Sequence, residues 1–129
     1  MTERATLRIG GTPPSFNQIG YRSHWAVGQR HKKQWQEWIS IALMEQAVPR
    51  GLMAGGLKLV TATATLRFKQ RRRRDEGNFR VIIEKALGDA LVQGGWLADD
   101  TAEQYRFGAL NLYAPVDKPE TIIVLDYER

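Results

Sequence analysis

Leu57-Lys58-Leu59-Val60-Thr61-Ala62-Thr63-Ala64-Thr65-Leu66-Arg67-Phe68-Lys69 alternates strictly, with Val60, Ala62, Ala64, Leu66 and Phe68 pointing one way and Thr61, Thr63, Thr65, Arg67 and Lys69 the other. A period of two is the signature of a strand buried on one face. This strand delivers Arg71, Arg72, Arg73 and Arg74 into a break at Asp75-Glu76-Gly77-Asn78. Beyond the break, Phe79, Ile82, Ile83, Ala86, Leu87, Ala90 and Leu91 recur at helical spacing, and Gly94-Gly95 stops the helix they predict.

Working outward, Ala5 to Gly10 reads as a short strand that Gly11-Thr12-Pro13-Pro14-Ser15 breaks, because proline removes donors and fixes the backbone. From about Val27 to Gln46, Trp35, Trp38, Ile39, Ala42 and Leu43 share one helical face, and Pro49-Arg50-Gly51 ends that helix. Its first turns carry Arg30, His31, Lys32 and Lys33 at the positive end of the macrodipole. Downstream, Trp96-Leu97-Ala98-Asp99-Asp100 reads as a turn, Tyr105 to Tyr113 as a strand, and Thr121 to Leu125 as a buried last strand. The order β-α-β-α-β-β predicts an α+β fold with α/β-like features: one domain over residues 1–129, a mixed four-stranded sheet and two main helices.

Composition narrows the chemistry. The chain has 129 residues, 43% hydrophobic, enough for one core. It has no cysteine, which excludes disulfides, thiolate zinc sites and cysteine nucleophiles. No apolar run reaches the ~18 residues of a membrane span, and Met1-Thr2-Glu3-Arg4 lacks a signal-like stretch, so a cytoplasmic location is expected. A net charge of +5 favours a polyanionic partner. The basic residues concentrate at Lys69 to Arg74 and at Arg22, His24, Arg30, His31, Lys32 and Lys33.

Carboxylates flank the second helix, with Asp75-Glu76 before it and Asp99-Asp100 after it. Phosphodiester cleavage needs an activated water and neutralised phosphate charge, and Mg²⁺ held by one or two carboxylates supplies both. Guanidinium groups alongside would hold neighbouring phosphates. Each feature also has a plainer reading: Asp75 and Glu76 as helix caps, Asp99-Asp100 as a solvated turn, and the arginines as a nonspecific patch. At about 100° per residue, Asn78, Lys85 and Asp89 fall on one flank of the helix and Glu84 on another. Lys85 is therefore the candidate to act with Asp75 on a phosphate or developing oxyanion, or else simply pairs with Asp89 four residues on. His24 and His31 lie among basic residues and suit phosphate contact or plain exposure better than metal ligation. The tryptophans read as core, and Trp25 is the one most open to another role.

The stretch from Arg71 to Asp100, with its arginine run, Asp75, Asn78, Lys85, Asp89-Ala90-Leu91, Gly94, Trp96 and Asp99-Asp100, resembles the RusA family of Holliday junction resolvases, especially phage-encoded members. Pro13-Pro14-Ser15-Phe16-Asn17 and Tyr21-Arg22-Ser23-His24 are similar to that family's N-terminal motif, so the resemblance spans most of the chain. It implies a homodimeric, magnesium-dependent endodeoxyribonuclease that cuts opposed strands of a four-way junction in DNA recombination and repair. Asp75 and Asp100 would be the first and third metal-binding aspartates and Lys85 the nearby lysine. The second aspartate is absent: Gly77 stands in its position and Glu76 is the nearest replacement. The spacing from Asn78 to Lys85 is about one helical turn longer than in the shortest members.

A helix from Asn78 to Val92 is roughly 22 Å long, and the eight residues after it span at most ~28 Å. Asp100 thus returns to Asp75 within one chain only if the turn doubles back nearly straight; otherwise a second copy supplies it across a two-fold interface. The expectation is an endonuclease in which Asp75, Glu76 and Asp100 hold Mg²⁺, with Mn²⁺ as a substitute, Asp99 supports them, and Lys85 stabilises charge. Asn17, Arg22, His24, Lys32, Lys33, Lys69, Arg71, Arg72, Arg73, Arg74 and Asn78 would contact branched DNA, reading shape more than sequence. Two rivals remain: a non-catalytic or weakly active junction-binding protein, motivated by Gly77, and a basic RNA-binding or adaptor protein.

Overall fold

The computed structural model describes residues 2–15, 25–46, 48 and 57–128, with the side chains of 25–28 left aside. Six elements follow in the expected order: β1 (Glu3–Gly10), α1 (Trp25–Glu45), β2 (Leu59–Arg67), α2 (Gly77–Gln93), β3 (Tyr105–Tyr113) and β4 (Glu120–Glu128). The architecture is α+β in one domain, and no described helix is long and apolar enough to cross a membrane.

The sheet runs β1-β4-β2-β3. β4 pairs antiparallel with both β1 and β2, whereas β2 and β3 are parallel and joined by α2. A parallel pair needs such a crossover because a hairpin cannot reverse the chain twice. The alternation in β2 works as the period implies: Val60, Ala62, Ala64 and Leu66 are buried beside Ile123 and Leu125 of β4, and the threonines lie half-buried on the other face. β4 is longer than the apolar run suggests, because Tyr127 continues the buried alternation while Asp126 binds Arg4 across the strands at 2.8 Å.

Both helices pack on the same face of the sheet. Phe79, Ile82, Ile83, Ala86, Leu87, Ala90 and Leu91 of α2 join Trp35, Ile39, Ala42 and Leu43 of α1 in one core cluster. Trp38 departs from expectation. It is 37% exposed, because three residues on from Trp35 it falls at the border of the apolar stripe, where its ring meets Trp35 edge-on at 5.1 Å. α1 also begins two residues earlier than its periodicity suggests, so Arg30 to Lys33 lie beyond its first turn, where the macrodipole acts less strongly.

α2 ends at Gly94, whose N–H donates to the Ala90 carbonyl, and Gly95 turns the chain away at a φ of +81°. The segment that follows starts buried and ends exposed, with Ala98, Asp99 and Asp100 forming its solvated part. Trp96 and Leu97 are 1% and 2% exposed, and the Trp96 indole N–H donates to the Val48 carbonyl at 3.0 Å. The Trp96 carbonyl accepts the Leu57 N–H at 2.7 Å, which anchors the start of β2 to the end of α2.

β3 carries one bulge, in which Gly108 and Ala109 stand opposite the single residue Thr63 of β2. Arg80 of α2 reaches it: its guanidinium donates to the Phe107 carbonyl at 2.6 Å and the Gly108 carbonyl at 2.9 Å. A bulge leaves ladder groups unpaired, and one planar donor fork satisfies two of them. This fixes α2 about its axis and so determines where Asp75 and Asn78 face.

Candidate nucleic-acid groove and acidic clusters

A groove of about 650 Å³ opens where three segments meet: the Gly10–Ser15 segment after β1, the His31, Gln34, Trp35 and Trp38 face of α1, and the Arg72–Asp75 loop with Asn78 and Phe79 of α2. Adjacency in sequence brings the arginines and Asp75 together. It gave no sign that the proline-containing segment after β1 and one side of α1 would close the same groove.

The arginines divide by role. Arg71, Arg72 and Arg73 are exposed, as is Lys69, and among the described residues none of the four has a carboxylate partner within 4.0 Å. Arg74 is different. Its guanidinium sits 3.8 Å from the centre of the Phe68 ring and donates to the Gln70 and Arg72 carbonyls at 3.0 and 3.4 Å. Burial, and then the charge of Arg72, lower its pKa from the ordinary guanidinium value. Arg74 therefore shapes the loop, and its three predecessors face solvent.

Asp75 both faces the groove and supports the helix. One carboxylate oxygen accepts the Gly77 N–H at 3.1 Å, and its carbonyl accepts from Asn78 at 3.1 Å. A carboxylate here suits the positive end of α2. Glu76 occupies the N-cap position but makes no side-chain cap bond, and its carboxylate lies 3.6 Å from Arg80. The plain capping reading thus holds for Asp75 through one oxygen and fails for Glu76.

The second acidic cluster lies elsewhere on α2. Asp100 packs within 3.4 Å of where a side chain on Gly88 would begin, and its carboxylate is 3.8 Å from Lys85 Nζ. Lys85 is 3.4 Å from Asp89, which in turn is 3.3 Å from Lys32 of α1, so four alternating charges link α1, α2 and the loop before β3. Asp99 accepts the Asp100 N–H at 2.8 Å and holds the bend. Beneath this network the Tyr105 hydroxyl donates to the Glu84 carbonyl at 2.7 Å. Burial, followed by the nearby Glu84 and Asp100 charges, pushes the Tyr105 phenol well above its usual pKa, so it stays a neutral donor.

These positions correct one expectation and bear on a question that the sequence leaves open. Lys85 does not meet Asp75; it pairs with Asp89 and Asp100, because the flank it shares with Asn78 runs along the axis for two further turns. Within one chain, Asp75 and Asp100 do not converge. Asp75 lies at Gly77 and Asp100 at Gly88, and eleven residues of helix separate those glycines by about 16 Å. Among the described residues no three His, Asp or Glu side chains of one chain converge to hold a cation. Lys32 is tied to Asp89, while Lys33 is exposed and His31 lines the groove. Asn17, Arg22 and His24 lie outside the described residues, as does the side chain of Trp25.

Compared with known proteins, the chain matches no protein-family model and no curated protein.

Proposed function

We propose that this chain binds branched DNA through its Arg71–Arg73 loop and the adjoining groove, and cleaves it as a RusA-like endonuclease once a second copy completes the acidic site. The observation that carries this reading is the position of Asp75. It is an exposed carboxylate without a basic partner within 4.0 Å among the described residues, in a groove walled by Arg72 and Arg73. A carboxylate left unneutralised beside guanidinium groups suits a site that takes a cation and a phosphate together. Mg²⁺, when bound, would supply charge neutralisation and an activated water. The arginines would clamp flanking phosphates, and shape would govern recognition.

The test is a labelled four-way junction incubated with Mg²⁺ and resolved on a gel. Nicked duplexes are expected from the wild type, and Asp75→Asn is expected to lower their yield at least about 100-fold, since even residues that merely orient metal ligands are worth 10–100-fold. Mixing Asp75→Asn with Asp100→Asn separates site architectures. Recovered cutting supports sites shared between copies, and silence in the mixture removes that part of the reading.

A second reading is a junction-binding protein without cleavage. It is favoured by Gly77 in place of an acidic residue and by Lys85 beside Asp100. Retention of the junction with no product in either metal, Mg²⁺ or Mn²⁺, would establish it. If Gly77→Asp then produced cutting, the missing ligand would be identified as the limiting element.

A further inference from the structure

We infer that the groove takes an unpaired nucleotide, with its base stacked on Trp38 and its phosphate held by Arg72 and Arg73. This rests on the branched-DNA reading and names the feature of the branch that the protein would grasp.

A site for duplex phosphates alone needs cations and no aromatic surface. This groove has both. Trp38 lines it while remaining 37% exposed, an unusual position for the largest apolar side chain on a helix whose other groove tryptophan, Trp35, is 2% exposed. Trp35 meets Trp38 at 75° between ring planes, an edge-to-face contact that holds the Trp38 ring while more than a third of its surface stays exposed. The same groove is lined by Arg72 and Arg73, both exposed, and by Asn78 in the first turn of α2. A primary amide offers a donor and an acceptor, the complement of a base edge freed from its pairing partner. The space of about 650 Å³ lies within the range that takes small ligands, ~300–1,000 Å³, and is open enough for a nucleotide still joined to its strand. Aromatic stacking with a flanking cationic track is the general solution for unpaired nucleic acid, because every base has a π-face and every linkage a charge.

The chain orientation follows from charge. Asp75 repels a phosphate unless a cation intervenes, so the phosphate seats at Arg72 and Arg73 and the base extends toward Trp38. A nucleotide lodged this way has left its duplex stack, which costs least at a branch point where pairing is already interrupted.

The experiment uses the full chain with a four-way junction carrying 2-aminopurine at the branch point, a fully paired duplex with the same label, and a single-stranded oligonucleotide. Wild-type protein is expected to quench 2-aminopurine that has left the DNA stack and sits on Trp38, in the junction and the single strand but not in the duplex. Trp38→Ala is expected to weaken single-strand binding about tenfold with duplex affinity unchanged, and Trp38→Phe to restore most of the loss. Wild-type binding without any change in 2-aminopurine emission would overturn the inference, with no variant involved. Equal loss for duplex and single strand in Trp38→Phe would do the same. If single strand is bound and quenched but the junction has no advantage over duplex, the branched-DNA reading fails and the stacking site stands.

Discussion

Replacing Trp96 with alanine is expected to lower the unfolding free energy by about 3–5 kcal/mol, the range for truncating a buried large aromatic. Trp96 is 1% exposed and fills the space where the end of α2, the start of β2 and the chain at Val48 meet. Truncation leaves a cavity and removes the donor from the Val48 carbonyl at the same time. A domain of this size is stable by roughly 5–15 kcal/mol, so the variant would lose about a fifth of its margin or more. Urea unfolding followed by far-ultraviolet circular dichroism measures the change as a lower midpoint at constant slope. Trp96→Phe should cost about half as much, because it loses the indole hydrogen bond but leaves a much smaller cavity than alanine does. A loss below about 1 kcal/mol for the alanine variant would mean that the packing described around Trp96 is wrong. Gly94 gives an independent check at the same place, since a Cβ there would overlap the six-membered ring of Trp96.

Replacing Arg71, Arg72 and Arg73 together with alanine is expected to weaken DNA binding on the order of 10³-fold, with little change in stability. Each charge-assisted contact to phosphate is worth about 1.5 kcal/mol, and three lost contacts convert to that factor. Stability should hold because the three side chains are exposed and have no carboxylate partner within 4.0 Å among the described residues. Salt dependence provides the sharper readout. For duplex DNA each phosphate contact contributes about 0.9 to the slope of log affinity against log salt, so the triple variant should flatten that slope by about 2.7. An unchanged slope would show that the loop does not touch the backbone. Arg74→Ala should behave differently, since that side chain is stacked on Phe68 and bonded to two loop carbonyls. Its loss would alter the loop that carries its neighbours and reduce stability as well as affinity.

Much of the fold is legible in the sequence because burial imposes periodicity. The alternation from Val60 to Leu66 and the helical spacing from Phe79 to Leu91 both follow from one face meeting a core. Tyr105–Tyr113 is bounded as the pattern indicates, and β4 runs three residues past its apolar run because a cross-strand ion pair supports its polar side. The strand order β1-β4-β2-β3 was not legible, since periodicity says which face is buried and nothing about which strand lies beside which. The site was half legible. Adjacency in sequence puts Asp75 beside the arginines, and the helical projection places Lys85 and Asp89 on one flank. That projection discards distance along the axis, and so it suggested a meeting of Lys85 with Asp75 that two turns of helix prevent. Trp38 was read as core for a similar reason: a side chain at the edge of an apolar stripe has the spacing of its neighbours without their burial.

The seventeen residues of α2 act as a strut between the two acidic loops, pinned by Arg80 at the β3 bulge and by the charges that tie it to α1. A strut does not shorten when a ligand arrives, so on the proposed reading the carboxylates meet only when whole molecules dock. Strand scission would then fall with the square of protein concentration at high dilution, while attachment to DNA through the arginine loop would fall only in proportion.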